Sequence, residues 1–201
     1  MSPPDPAPLP GDCAVAYKEW GGVCSALERG LQTVLLRKGG IDEGPAGFTP
    51  GYPAFWLYPT RLHQATQGLR LDGLNDAEAE DGRSVPIRTL AVVEWVGRVD
   101  RKELLGPLEP FHVWTPETVS ARFDYRRPGL WVLAVRVYTL AEPIRVDVAP
   151  EYAGCKTWVP LRQPLPTSGL KPVLDASEFR RRLESLLSAL RPPGEPPTEG
   201  D

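Results

Sequence analysis

Segments rich in β-branched and aromatic residues, each bounded by glycine or proline, occupy the middle of this 201-residue chain. Such segments are typical of β-strands. Strands are predicted at residues 32–38, 54–60, 87–99, 130–140 and 144–149. They do not alternate with helical patterns, so a doubly wound parallel sheet is disfavoured. The sequence predicts an α+β fold with a mostly antiparallel, curled sheet and helices at its rim.

A first helix is predicted before these strands. Asp12 is placed to cap it and Gly30 to end it. Its apolar residues recur at helical spacing: Ala16, Trp20, Val23, Cys24 and Leu27. Gly21 and Gly22 disfavour a helix by about 1 kcal/mol each relative to alanine. We therefore expect these glycines to let another part of the backbone pack closely.

Further helices are predicted at the rim and near the end of the chain. Short helices are expected at 100–106 and 115–123, the second with Thr115 as its cap and a proline in its first turn. The final helix begins at Asp175, where Glu178 completes a start that resembles a capping box. Its apolar stripe consists of Phe179, Leu183, Leu186, Leu187 and Leu190.

Length and composition predict one domain between two tails. Residues 1–11 and 191–201 are proline-rich and are expected to be disordered, and residues 12–190 form the domain. Residues 68–84 are acidic and glycine-rich, which predicts a flexible loop.

Charge and cysteine content exclude several classes of protein. The formal net charge of −3 argues against a uniformly basic binder but allows a local basic groove. Cys13, Cys24 and Cys155 form no C-x-x-C pair, so no disulfide framework, metal site or cofactor is predicted. The start of the chain does not resemble a signal peptide, and no apolar run approaches the roughly 20 residues that span a bilayer. We expect a cytoplasmic protein that does not bind a membrane.

The first block of candidate functional residues follows the predicted strand at 32–38. Arg37 and Lys38 precede Gly39 and Gly40. The glycines suit either a tight turn or a loop whose backbone N–H groups approach an anion. Both G-x-x-x-x-G-K-[ST] and G-x-G-x-x-G are missing from the sequence, so nucleotide hydrolysis is not supported.

The second block is YPTRLHQ, at the end of the predicted strand 54–60. It contains Tyr58, Thr60, Arg61, His63 and Gln64. A ring, a hydroxyl, a cation, an imidazole and an amide suit base stacking with hydrogen bonding better than nucleophilic attack. The sequence has two histidines and no G-x-S-x-G, so a Ser/His/Asp hydrolase is poorly supported.

The third block is GCKTWVPL, which pairs Lys156 with Trp158. The tryptophan can close the hydrophobic core. Alternatively, if it faces the second block, a cation beside an aromatic wall would form a pocket for a base or a phosphate.

The three blocks together predict a nucleic-acid-associated binding module whose partner is DNA or RNA. Cations in the first two blocks and Lys156 would neutralise phosphate, Tyr58 and Trp158 would stack on bases, and His63 with Gln64 would read a base edge. The full set of predicted binding residues is Arg37, Lys38, Gly39, Gly40, Tyr58, Thr60, Arg61, His63, Gln64, Lys156 and Trp158. This prediction favours binding without catalysis.

Two other functions are compatible with the sequence. A metal-dependent nuclease would use Glu19, Asp42 and Glu43 on a divalent ion and Lys38 on the scissile phosphate, although no predicted strand carries the Glu-x-Lys of the PD-(D/E)XK nucleases. A regulatory protein without catalysis would use the leucine-rich final helix to dock on a protein partner.

Three longer segments resemble one known family. They read YKEWGGVCSALERGLQTVLLRKGGI, FWLYPTRLHQ and LAVRVYTLAEPIRVDVAPEYAGCKTWVPL, and their order and character are similar to the bacterial domain-of-unknown-function family 1802 (DUF1802). Members are similar to regions found beside restriction-type catalytic domains, which implies a role in restriction–modification or other DNA-directed defence.

The order of the predicted elements is also similar to that of the PUA-like barrels, including the EVE and ASCH domains. These domains bind RNA or modified bases. The resemblance implies a PUA-like β-barrel as the alternative to an open curled sheet, and a modified base as one expected ligand.

Overall fold

The computed structural model describes residues 8–38, 51–61, 68–74, 78–154 and 156–191. Within these ranges the chain forms one mixed sheet and four α-helices. The strands are β1 (Asp12–Trp20), β2 (Val34–Arg37), β3 (Ala54–Thr60), β4 (Ser84–Val99), β5 (Leu130–Asp147), β6 (Trp158–Pro166) and β7 (Lys171–Pro172). The helices are α1 (Gly21–Glu28), α2 (Leu105–Leu108), α3 (Pro116–Asp124) and α4 (Ala176–Ala189).

The sheet has the strand order β2-β5-β4-β3-β1-β6, and β7 pairs with β5. β1 and β3 run parallel, and the other pairs are antiparallel. The described strands do not close into a barrel. The predicted α+β fold with a mostly antiparallel sheet is therefore confirmed, in its open form. β4 and β5 are the longest strands and pair over most of their length, with irregularities at Ile87/Thr89 and Val93/Trp95.

The prediction of a helix from Asp12 is wrong for its first half. Residues 12–20 form β1, and the helix begins only at Gly21. β1 lies between β3 and β6, and consecutive residues such as Ala16 and Tyr17 are both buried. A strand covered on both faces loses the alternation that identifies strands, so its apolar spacing imitated a helix.

The expected close approach at the glycine pair is present. A Cβ atom on Gly22 would lie 2.5 Å from Cδ1 of Leu69 and 3.1 Å from the carbonyl oxygen of Leu74. Gly30 follows α1 with a φ of +68°, in the left-handed region that favours glycine. Both positions therefore require glycine for packing or for backbone conformation.

The later helix starts are confirmed. The Thr115 hydroxyl accepts a hydrogen bond from the N–H of Thr118 at 3.4 Å, and the Asp175 carboxylate accepts from the N–H of Glu178 at 2.8 Å.

Phe179 and Leu186 of α4 are buried in the domain's own core, at 2% and 1% exposed. The hypothesis that this stripe is a docking surface therefore loses its basis. No helix in the described ranges is long and apolar enough to span a membrane.

Candidate functional site

One end of the sheet carries a cross-strand row of two arginines and a tryptophan. Arg37 of β2 is the register partner of Trp131 of β5, and Trp131 is in turn the partner of Arg98 of β4. Directly opposite residues project from the same face of a sheet. The Arg98 guanidinium lies 5.7 Å from the centre of the Trp131 ring, which is cation–π distance. Arg98 is exposed, and Arg37 and Trp131 are partly buried.

The Arg37 side chain also contacts aromatic rings on β1 and β6, which lie at the opposite end of the strand order from β2. Its guanidinium carbon lies 5.4 Å from the centre of the Tyr17 ring on β1 and 6.0 Å from that of Trp158 on β6. β2 and β6 are the two edges of the sheet. The Arg37 side chain therefore spans the opening between the sheet edges.

Trp158 is the centre of an aromatic group. Its ring meets those of Tyr17, Tyr52 and Phe55 edge-on, with centroids 5.0 to 5.2 Å apart. Such edge-to-face pairs contribute about 0.5–1.5 kcal/mol each beyond the area they bury. Tyr52 is 41% exposed, and Trp158 is partly exposed. We call the sequence of side chains Arg98, Trp131, Arg37, Trp158 and Tyr52 the guanidinium–aromatic row.

Tyr17, the buried tyrosine next to Arg37, keeps its proton near neutral pH. Burial and the charge of Glu19 raise the pKa of Tyr17 to about 12, although the Arg37 and Arg122 guanidinium groups oppose this rise. The Tyr17 hydroxyl is therefore uncharged near neutral pH.

A second partly buried guanidinium group contacts two rings. The Arg122 guanidinium carbon lies 4.4 Å from the Trp20 ring centre and 4.8 Å from that of Trp114, and Nη1 donates to the Leu36 carbonyl at 3.5 Å. Nearby Glu19 is 6% exposed and accepts a hydrogen bond from the N–H of Trp20 at 2.8 Å. Burial raises the pKa of Glu19, and the Arg122 charge opposes that rise. We call Trp20, Arg122, Trp114 and Glu19 the buried cluster.

Lys38 follows Arg37 in sequence but points to a different environment. Its ammonium group donates to the backbone carbonyls of Phe123 at 2.6 Å, Gly129 at 3.0 Å and Arg127. Burial and the Arg98 charge lower its pKa. These carbonyls belong to the end of α3 and the loop after it, so the visible role of Lys38 is to hold that loop.

The second predicted block is mostly internal where the structure describes it. Tyr58 is fully buried, with its ring against Tyr152 at 6.3 Å and under the Lys18 ammonium at 5.3 Å. In this position it has no free face for a base. Thr60 is also buried, whereas Arg61 is exposed just after β3.

The third block contributes Trp158 to the row. Lys156 is exposed, and its ammonium group lies 3.4 Å from the Glu151 carbonyl. Gly39, Gly40, His63 and Gln64 lie outside the described residues, as do Asp42 and Glu43 of the nuclease hypothesis. No group of three or more metal-ligating side chains occurs in the ranges that the structure describes.

Several residues of the site were not predicted from the sequence. Trp131 and Arg98 lay within predicted strands, but their pairing with Arg37 depends on a register that a single sequence does not give. Tyr52 was missed because it precedes its strand and shows no periodic pattern. Arg122 was missed because Trp20 and Glu19, two of its neighbours in the buried cluster, come from a distant part of the chain.

Together, the fold and the row define a small α+β protein with an open, curled sheet and a partly exposed strip of alternating cations and rings. A family model described as "Domain of unknown function (DUF1802)" matches residues 16–185. The chain therefore belongs to the DUF1802 family, as the sequence predicted. No curated protein matches it.

Solved structures that are similar to this chain include two ASCH structures from Zymomonas mobilis. A mutant form shows 16% identity and a TM-score of 0.43, covering 89% of this chain and 99% of that chain. The ASCH structure without a named mutation shows 15% identity and a TM-score of 0.42, with coverages of 85% and 93%. Both belong to the class of domain named in the fold-level resemblance.

Proposed function

We propose that this protein binds single-stranded nucleic acid along the guanidinium–aromatic row. The observation that carries the proposal is the alternation of partly exposed rings with guanidinium groups at one end of the sheet. Unpaired bases present flat π-faces that stack on aromatic side chains, and the phosphates between them attract cations. A surface that alternates the two chemistries matches the alternation of base and phosphate along a strand.

Each member of the row has a distinct part in this proposal. Trp158 and Tyr52 form one stacking platform, and Trp131 forms a second. Arg37 and Arg98 meet the phosphates beside them. Lys156 is exposed two residues before Trp158 and adds charge at the first platform. Lys38 and Tyr58 are left out, because one is engaged by carbonyls and the other is buried.

Finer expectations from the sequence belong to the proposal. The DUF1802 resemblance adds a role in restriction–modification or other DNA-directed defence, and the PUA-like resemblance adds a preference for a modified base. A cytoplasmic location is expected because the start of the chain does not resemble a signal peptide. The choice of oligonucleotide in the test below separates modified from unmodified bases.

The test is fluorescence anisotropy with labelled 12-nucleotide RNA and DNA, single-stranded and duplex, unmodified and base-modified, at two salt concentrations with magnesium. We expect salt-sensitive binding of single strands. The double variant Arg37→Ala/Arg98→Ala should bind more weakly. The slope of log affinity against log salt should fall by about 0.7 for each phosphate that the variant no longer neutralises.

The control is Arg145→Ala. Arg145 is exposed and lies towards the other end of β5, where it pairs with Glu78. It should bind like the wild type. Absence of binding by the wild-type protein, or equal affinity of the double variant and the control, would overturn the proposal. A denaturing gel of the same samples tests the nuclease hypothesis, which predicts cut oligonucleotide.

A further inference from the structure

The loop between α3 and β5 presents an aromatic ring and a cation to solvent. Tyr125 is 57% exposed, the most exposed large apolar side chain in the described ranges. The Arg126 guanidinium carbon lies 5.1 Å from the centre of the Tyr125 ring. Arg127, next in the chain, is also exposed. The ring of Tyr125 is therefore accessible to a ligand outside the fold.

The backbone of this loop is held in an unfavourable conformation. Arg126 has a φ of +61°, in the left-handed region that non-glycine residues adopt at a cost of about 1 kcal/mol or more. The Lys38 ammonium, which donates to carbonyls on both sides of Arg126, stabilises this conformation. The N–H of Gly129 also donates to the Phe123 carbonyl at 3.2 Å. Strain retained in this way is frequent where a backbone must present side chains to a ligand.

The loop is continuous with the guanidinium–aromatic row. Arg98 packs on Gly129, since a Cβ atom there would lie 3.2 Å from an Arg98 guanidinium nitrogen. Arg98 also stacks on Trp131. The order of groups is therefore the Tyr125 ring with Arg126, then Arg98, then Trp131. Two guanidinium groups thus lie between two rings, Tyr125 at one end and Trp131 at the other.

We infer that Tyr125 and Arg126 form a further subsite for the same strand, resting on the function proposed above. A base stacks on Tyr125, and the phosphates between it and the row lie against Arg126 and Arg98. The ligand is then an oligonucleotide long enough to reach from Trp158 to Tyr125, and a single nucleotide fills only part of the site. The chemistry is common to RNA and DNA.

The test is a length series of labelled single strands of uniform sequence, from two to twelve nucleotides, in RNA and DNA arms. Tyr125→Ala should lower affinity for the longest strands by about tenfold, within the range measured for one stacked base. It should leave the affinity for dinucleotides unchanged. Tyr125→Phe keeps the ring and should bind every length like the wild type.

Arg126→Asn provides a second, independent measurement. Asparagine tolerates the left-handed region better than arginine, so this variant should be at least as stable as the wild type. It should nevertheless bind long strands more weakly and with a smaller salt slope. Lower stability together with unchanged binding would show that Arg126 is a structural residue and overturn the inference.

The outcomes separate this inference from the proposed function. If Tyr125→Ala binds all lengths like the wild type while Arg37→Ala/Arg98→Ala binds weakly, the subsite is wrong and the row stands. If Tyr125→Ala weakens dinucleotides as much as long strands, the loop is not a separate subsite. If the wild-type protein binds no strand of any length, both fail.

Discussion

The buried cluster and the guanidinium–aromatic row contain the same kinds of side chain but differ in what covers them. Arg122 is partly buried and contacts two rings, at 4.4 and 4.8 Å, whereas Arg98 is exposed and contacts one ring at 5.7 Å. A cation–π contact contributes about 0.5–1 kcal/mol when exposed and about 2 or more when removed from water. The same chemistry therefore stabilises the fold in one place and, in the function proposed above, binds a ligand in the other.

The largest expected effect is the loss of Arg122. Arg122→Ala removes two enclosed cation–π contacts and leaves the buried Glu19 without its strongest favourable charge. Removing one partner of a buried ionic group is strongly destabilising. We expect the free energy of unfolding to fall by at least about 3 kcal/mol. Urea unfolding followed by tryptophan fluorescence measures this loss, and an unchanged midpoint would contradict the division between cluster and row.

The next effect concerns pH and the histidine beside the buried cluster. His112 is 3% exposed, its ring centre lies 5.6 Å from that of Trp114, and its pKa is lowered to about 4 by burial and by the charges of Arg70 and Arg122. The unfolded chain binds this proton at its ordinary pKa near 6.5. The contribution of neutral His112 to the free energy of unfolding is therefore fully present above pH 6.5. It is lost as the pH falls from 6.5 to about 4. The expected loss is about 3 kcal/mol.

The matched variant is His112→Leu, which is apolar and of similar volume. Neither ring nitrogen of His112 has a hydrogen-bond partner of good geometry among the described residues, and the Trp114 backbone has only the smallest influence on its pKa, so leucine gives up little hydrogen bonding. The difference in unfolding free energy between variant and wild type should grow in favour of leucine as the pH falls from 6.5 to about 4. Glu19 titrates in both proteins and cancels in this difference. A difference that does not change with pH would show that His112 is not held neutral.

Lys38 is adjacent in sequence to Arg37 of the row, but its side chain contacts backbone carbonyls. Its replacement therefore tests whether it has a structural role or binds phosphate. Lys38→Met removes an ammonium group that donates to three carbonyls. We expect a loss of about 1–2 kcal/mol in stability and weaker binding of long strands through the Tyr125 loop. The salt slope for short strands should not change, because this ammonium group does not meet phosphate. A lower slope would instead place Lys38 among the phosphate contacts, as the sequence predicted.

The sequence predicted those parts of the fold whose signals are local. β3 was predicted at the residues it occupies, and the caps at Thr115 and Asp175 were identified from short motifs. β5 was predicted as two strands, because a proline at 143 interrupts its pattern. This proline falls at the irregular register between β4 and β5, where a proline is tolerated. β6, with prolines at 160, 164 and 166, was not predicted as a strand, since only an edge position permits them.

The candidate site was predicted only in part, because it depends on contacts distant in sequence. Arg37 and Trp158 were both selected from local composition, and the structure brings them within 6.0 Å. Tyr58 was selected for its place in a polar block, but burial of β3 on both faces encloses it. Trp131 and Arg98 become visible only when the register of three strands is known.

Arg98 is the residue whose loss should change stability least and should affect nucleic-acid binding most specifically. Arg98→Ala removes an exposed side chain with one ring contact, so unfolding free energy should change by less than about 0.5 kcal/mol. Single-strand affinity and its salt slope should both fall. Arg98→Lys keeps the charge and loses the planar face, so it should retain the salt slope while losing affinity. If Arg98→Ala destabilised the fold as much as Arg122→Ala, both regions would be structural, and the row would lose its claim to a ligand.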